Sequence, residues 1–273
     1  MVESHQTSLE TTRRPQAEYQ THTASRSPAP HREPTMPTLM LSVLLATASA
    51  QEPARGPATL LSPSTKPPPG DVVLEPFSNI QVAGDVDLNL FGNVPQRTAE
   101  VRCPTSEGPG VVFEVRGETL MVRPQHEGRR TTGQCLAVVR ASGIKQLEVA
   151  GASVTRGGAL SELTIARLAG AGRLDLRGLS APQFQLQAAG AGLVQLSGAV
   201  DALTLEVSGA AEIQAKNLVA QHGILKVTGS GTMEVTVRQS VAATSAGAGA
   251  ITVHGTPPKV EKNALGAGQI VIQ

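Results

Sequence analysis

A short glycine motif recurs through the second half of the chain at an almost constant spacing. Full Gly-Ala-Gly or Gly-Ser-Gly copies begin at Gly170, Gly190, Gly229, Gly247 and Gly266, and degenerate copies begin at Gly151 and Gly209. The successive intervals are 19, 20, 19, 20, 18 and 19 residues. A fixed period of this length is typical of solenoids, in which each repeat stacks on its neighbours.

Apolar residues alternate with polar ones on both sides of each motif. Leu205 and Val207 precede Gly209, for example, and Ile213 and Ala215 follow it at the same parity. A hydrophobic period of two is the pattern of β-strands and not of helices. The sequence therefore predicts an all-β fold, a parallel β-helix or solenoid, whose coils are about 19 residues long.

The motif glycines share the parity of the apolar residues, so we expect them to face the interior at a tight bend. Glycine leaves room for facing walls and adopts backbone conformations that other residues avoid. The predicted structural glycines are Gly170, Gly172, Gly190, Gly192, Gly209, Gly229, Gly231, Gly247, Gly249, Gly266 and Gly268.

The residues five positions after each first glycine are mostly polar and have the outward parity. Stacked coils would place them in one column along a face of the solenoid. The predicted column contains Asp175, Gln195, Gln214, Glu234 and Thr252. A flat polar face of this kind can bind an extended glycan or another strand, although a solvated surface needs no ligand.

The first part of the chain has a different composition. Residues 1–35 are polar and predict a disordered extension. Residues 36–50 contain a short apolar run that ends in Ala-Ser-Ala, the pattern of a secretory signal and its cleavage site, with Met1 and Met36 both open as translation starts. Residues 51–76 are proline-rich and predict an extended linker. The folded domain is expected over residues 77–273.

The apolar run is too short for a membrane-spanning helix, and its alternative interpretation is a short buried helix.

Cys103 and Cys135 are the only cysteines. In an exported protein they can form one disulfide, but the sequence does not show whether they lie close enough.

Several kinds of site are disfavoured, and we expect no cofactor. The net charge is +1 and aromatic residues make up only 2% of the chain, which argues against nucleic-acid binding. The glycine motif lacks the third glycine and the helix of a dinucleotide fingerprint, and it lacks the Lys-Ser/Thr of a phosphate loop. The repeats also lack the recurring aspartate of calcium-binding nonapeptides, and the histidines are scattered.

Four segments carry a resemblance to a known family: "PFSNIQVAGDVDLNL" (76–90), "LEVAGAS" (147–153), "LTLEVSGAAEIQA" (203–215) and "LKVTGSGTMEV" (225–235). They resemble the putative auto-transporter adhesin, head GIN domain family, over about residues 74–273. The resemblance implies a right-handed β-helix in an exported bacterial protein. It implies no catalytic residue.

These observations predict a non-catalytic, exported binding or structural module of the cell envelope, adhesin-like, located in the periplasm, on the cell surface or outside the cell. Its expected partner is a glycan or an envelope protein, and exposed solenoid ends would allow self-association. The alternative is a carbohydrate-active enzyme of the β-helix class, by fold analogy. That alternative needs clustered acids, whereas Asp175 and Glu234 are expected about 14 Å apart, three coils along one column.

Overall fold

The computed structural model describes residues 71–103, 110–126 and 135–273. The predicted disordered extension (1–35), the signal-like segment (36–50) and residues 51–70 of the predicted linker lie outside the described residues.

Seventeen strands make up the regular structure of the described residues. They are β1 Val72–Val73, β2 Asn79–Ala83, β3 Asp87–Phe91, β4 Thr98–Arg102, β5 Val111–Arg116, β6 Thr119–Pro124, β7 Leu136–Arg140, β8 Gln146–Gly151, β9 Val154–Gly158, β10 Ile165–Gly170, β11 Arg173–Gly190, β12 Leu193–Gly209, β13 Glu212–Gly229, β14 Thr232–Gly247, β15 Ala250–His254, β16 Lys259–Gly266 and β17 Gln269–Ile272. The predicted all-β solenoid, with about seven turns of about 19 residues, is confirmed.

Parallel pairing stacks equivalent segments of successive coils into walls. Wall 1 holds the segments before each glycine motif, in the order β6, β2, β8, β10, the C-terminal parts of β11 to β14, and β16. Wall 2 holds the segments after each motif, in the order β7, β3, β9, the N-terminal parts of β11 to β14, β15 and β17. Neighbouring segments in a wall lie about 4.8 Å apart.

The alternating pattern places aliphatic side chains inside the coil. In wall 1, Leu186, Leu205 and Leu225 occupy one inward column and are fully buried. In wall 2, Leu174 and Val194 belong to a buried column that continues through the later coils. Burial of such side chains contributes about 1.5–3 kcal/mol each, so the stacked columns supply the core that the scarce aromatic residues do not.

The N-terminal end is closed by antiparallel strands. β4 pairs with β7 and β1 pairs with β4, while β5 and β6 form a hairpin. The expected start of the fold at residue 77 needs correction, because β1 and the buried Leu74 precede it. Cys103 and Cys135 are joined by a disulfide with Cα atoms 4.3 Å apart, which links the end of β4 to the start of β7.

The two glycines of each motif have different environments, contrary to the expectation that both face the interior. The second, such as Gly249, is buried. The first, such as Gly247, is exposed and has a φ of 115°. A Cβ at Gly247 would lie 2.6 Å from the carbonyl oxygen of Gly229 in the preceding coil. The first glycine therefore makes a backbone turn, and the second leaves space inside the coil.

The last coil leaves one side of the stack uncovered in this structure. All residues of β16 are exposed, including Val260 and Leu265. Lys262 occupies the inward register position that Ala243 holds in the preceding coil. An inward-pointing charge on an edge strand opposes pairing with another strand.

Candidate functional site

The predicted polar column forms on the outer surface of wall 2. Asp175 is the register partner of Gln195, and Gln195 of Gln214. Gln214 is in turn the partner of Glu234, and Glu234 of Thr252. Stacking thus brings together five residues from five coils. We call Asp175, Gln195, Gln214, Glu234 and Thr252 the wall 2 column.

Hydrogen bonds run along the middle of the wall 2 column. Arg173 Nη2 donates to Gln195 Oε1 at 2.6 Å, and Gln195 Nε2 donates to Gln214 Oε1 at 2.7 Å. Gln214 Nε2 then donates to Glu212 Oε1 at 2.6 Å. The chain of bonds fixes the orientation of both amides. Each amide keeps unused donor and acceptor capacity for a ligand, because a glutamine has two donors and two acceptor lone pairs.

The structure changes the expectation for Asp175. Its side chain is only 10% exposed, and Arg177 donates two hydrogen bonds to its carboxylate, at 3.0 and 2.7 Å. The hydrogen bond and the negative charge of Asp175 raise the pKa of Arg177 above its ordinary value. Asp175 therefore anchors the exposed guanidinium of Arg177 and does not present a free carboxylate.

Toward the C-terminal end of the wall 2 column, Glu234 is the centre of a small group of polar side chains. His254 Nε2 lies 2.5 Å from Glu234 Oε1, and Lys216 Nζ lies 3.8 Å from the same oxygen. The three residues come from three successive coils. His254 and Glu234 are 20 residues apart in the chain, so their contact is not visible in the local sequence pattern.

The acids of the wall 2 column do not form a pair. Gln195 and Gln214 separate Asp175 from Glu234 in the observed register. This three-coil separation equals about 14 Å, whereas the paired carboxylates of glycoside hydrolases are about 5–9.5 Å apart. Glu212, the remaining acid beside the column, is bound by Gln214.

A second polar column lies on wall 1 and is more fully self-paired. Arg167 forms an ion pair with Glu148 at 2.6 Å and donates to Gln187 at 3.1 Å. Gln187 donates to Glu206 at 3.2 Å, and Lys226 pairs with Glu206 at 3.1 Å. The register brings charges of opposite sign next to each other along this column.

Two depressions lie on the surface of wall 1. One, of about 160 Å³, has a polar lining formed chiefly by Asn79, Gln81, Thr119, Gln146 and Glu148. The other is a groove of about 650 Å³ near the last coils, where Ile224 and Val260 are exposed and His222 Nδ1 lies 2.8 Å from Ser240 Oγ. Neither depression contains a residue of the wall 2 column.

Within the described ranges, no three His, Cys, Asp or Glu residues are grouped as a metal site would require. The described part of the chain also contains no helix long and apolar enough to span a membrane.

Comparison with known proteins relates the chain to one family and to several solved structures. The family model described as "Putative auto-transporter adhesin, head GIN domain" matches residues 76–257. A putative adhesin from Bacteroides fragilis NCTC 9343 is similar in structure, with a TM-score of 0.67, 21% identity, and coverage of 75% of this chain and 95% of that one. Comparison with curated proteins gives no match.

Two structures from Parabacteroides distasonis ATCC 8503 are also similar. A putative adhesin has a TM-score of 0.57 at 18% identity, covering 75% of this chain and 95% of the other. A putative lipid binding protein has a TM-score of 0.56 at 19% identity, covering 76% and 97%. At these identities the likeness concerns the fold alone.

Proposed function

Because the chain belongs to the putative auto-transporter adhesin, head GIN domain family, we propose that it is a non-catalytic binding module of the cell envelope, exported from the cell, that presents the outer face of wall 2 to an extended glycan. The observation that carries this proposal is the register of the wall 2 column, in which Gln195, Gln214, Glu234 and Thr252 follow one another coil by coil.

The regular spacing of the side chains in the wall 2 column matches an extended polymer with repeating units. Side chains at about 4.8 Å intervals offer amide and carboxylate groups along a line, and these groups hydrogen-bond sugar hydroxyls with good geometry. The amides of Gln195 and Gln214 are held in place before any ligand binds, so less conformational entropy is lost on binding. An extended ligand would gain contacts from several coils at once.

A non-catalytic role is supported by the arrangement of the acids. The Asp175 carboxylate is closed off by Arg177, and Glu234 is surrounded by Lys216 and His254. Membership of an adhesin family and likeness to two putative adhesins support binding rather than chemistry. They also support an exported location, which agrees with the signal-like segment at residues 36–50.

A glycan array probed with the full-length protein, alongside a polysaccharide-degradation assay, tests the proposal. The double variant Gln195→Ala/Gln214→Ala should lose binding to the glycans that the wild type retains. Gln183, an exposed glutamine outside the column, provides the matched control Gln183→Ala, which should bind as the wild type does. Release of new reducing ends from any polysaccharide, or equal binding by both variants, would contradict the proposal.

A further inference from the structure

An exposed aromatic ring lies near the N-terminal end of wall 2. Phe91 is 45% exposed, in a chain with only four phenylalanines, one tyrosine and no tryptophan. It ends β3, two residues after Asn89, and its register partners are Arg140 on one side and Gly158 on the other. A single exposed apolar side chain is common on protein surfaces, so this ring is informative only together with the groups beside it.

Gly158 leaves open space next to this ring. A Cβ built on Gly158 meets no atom within 4 Å, and its φ is not in the left-handed region. The backbone therefore does not require glycine there. The missing side chain leaves the surface beside Phe91 uncovered, about 4.8 Å along the wall.

Arg156 lies on the diagonal from Phe91 across this space. It is the register partner of Asn89 on one side and of Asp175 on the other. Its side chain is exposed and has no hydrogen-bond or ion-pair partner in the described structure. The neighbouring Arg177 is bound to Asp175, so the guanidinium of Arg156 is the one that remains available to a ligand.

The local charge favours an anion. The first four segments of wall 2 carry four arginines, Arg140, Arg156, Arg173 and Arg177. Arg140 is paired with Asp71 and Glu100 and Arg177 with Asp175, so the excess positive charge lies on Arg156 and Arg173. Later segments of the wall carry Glu212, Lys216 and Glu234, which reverses the sign. A guanidinium binds a carboxylate in a bidentate manner, and an aromatic ring supplies a flat apolar surface.

Asn89 adds an acceptor to the same site. Its Oδ1 is shielded from solvent and has no hydrogen-bond partner. A buried polar atom without a partner is unfavourable, so a donor that reaches it is favoured. A ligand hydroxyl that enters between Phe91 and Arg156 could supply the missing donor after a small movement of the arginine side chain.

We propose that Phe91, Arg156 and the space beside Gly158 form a binding site for a carboxylate-bearing sugar residue, such as a uronic acid in an acidic polysaccharide. The sugar ring stacks on Phe91 and its carboxylate binds Arg156. This inference rests on the proposed function, since it names the ligand class at one end of the wall 2 face.

The test measures binding of the full-length protein, by calorimetry, to hexasaccharides of galacturonate, alginate and hyaluronan, each beside its neutral methyl ester. We expect at least one acid form to bind about tenfold or more tightly than its ester, as charge-assisted hydrogen bonds predict. Arg156→Gln should remove this preference for the acid form, and Phe91→Ser should weaken acid and ester alike.

Two further variants separate the site from general effects. Gly158→Val fills the open space but removes no side chain that would contact the sugar. It should abolish binding while leaving the melting temperature near that of the wild type. Arg238→Gln removes an equal charge from an exposed arginine within β14 that lies outside the two columns, and should change affinity less than twofold.

The proposal is overturned if no acidic hexasaccharide binds better than its ester, or if Arg156→Gln has no more effect than Arg238→Gln. If neutral glycans still bind and depend on Gln195 and Gln214, the acidic-sugar site is wrong but the wall 2 binding face stands. If no glycan of either class binds, both proposals fail.

Discussion

Replacing Gly249 with alanine should destabilise the solenoid, although the change adds a single methyl group. Gly249 is buried at the second position of its motif. A Cβ there would lie 2.4 Å from Val227 Cγ1 and 2.8 Å from the carbonyl oxygen of Gly231. That oxygen accepts the backbone hydrogen bond of Ala250 at 3.1 Å, so it cannot move away without loss of a contact between coils.

The expected loss follows from overpacking. Inserting a methyl group into a well-packed interior costs about 1–3 kcal/mol. For a domain of this size, each kcal/mol lowers the melting temperature by about 2–4 °C, which gives a fall of about 2–12 °C. Gly249→Val adds two more methyl groups at the same place and should cost more.

Urea denaturation followed by far-ultraviolet circular dichroism measures the change. Gly158→Ala is the matched control, because the same methyl group would meet no atom within 4 Å and the backbone is compatible with alanine. Its free energy of unfolding should stay within about 0.5 kcal/mol of the wild type. If Gly249→Ala is as stable as Gly158→Ala, the second glycine does not make room inside the coil, and the packing argument is wrong.

Three other changes test separate features of the fold. Gly247→Ala places an L-residue at a φ of 115° and should cost about 1–3 kcal/mol from backbone strain, measured as a lower urea midpoint; an unchanged midpoint would refute the strain. Cys103→Ser/Cys135→Ser opens a link that spans 32 residues and should cost about 2–4 kcal/mol; its melting temperature should no longer respond to reductant, whereas that of the wild type should fall. The hydrogen bond from Arg102 and the charges of Arg102 and Arg140 lower the pKa of Glu100, so its stabilising contribution is present above the ordinary glutamate pKa and is lost as the pH falls through the lowered one. The urea midpoints of wild type and Glu100→Gln should therefore differ more at neutral pH than in acid, and a pH-independent difference would contradict this.

The family resemblance and the solenoid were both available from the sequence, and both are confirmed. The reason is that every coil needs inward-facing apolar residues at equivalent positions, so the same sequence pattern recurs in each coil. Leu205 and Val207 before Gly209, and Ile213 after it, face the interior of one coil, and the same parity recurs about every 19 residues. A period of two identifies strands, and a longer period identifies stacking.

The irregular parts of the fold could not be predicted from the sequence repeat. The antiparallel strands β1, β4 and β5 at the N-terminal end have no repeat, so alternation alone did not show their direction or the place of β1 before residue 77. The difference between Gly247 and Gly249 was also hidden, because parity does not report a positive φ. The right-handed winding implied by the family resemblance stays a prediction.

By itself, the sequence determined the strand pattern, the coil length and the outward parity of Gln195 and Gln214. The repeat also predicted the column that these residues form across coils, but only the tertiary structure decided which side chains pair with one another, because such contacts join residues at unequal positions of different repeats. In the structure, Arg177 donates a hydrogen bond to Asp175, and His254 contacts Glu234. Arg156 lies diagonally across from Phe91, next to the open space at Gly158. Local periodicity is enough to build a coil, whereas a site on its surface depends on the register between coils.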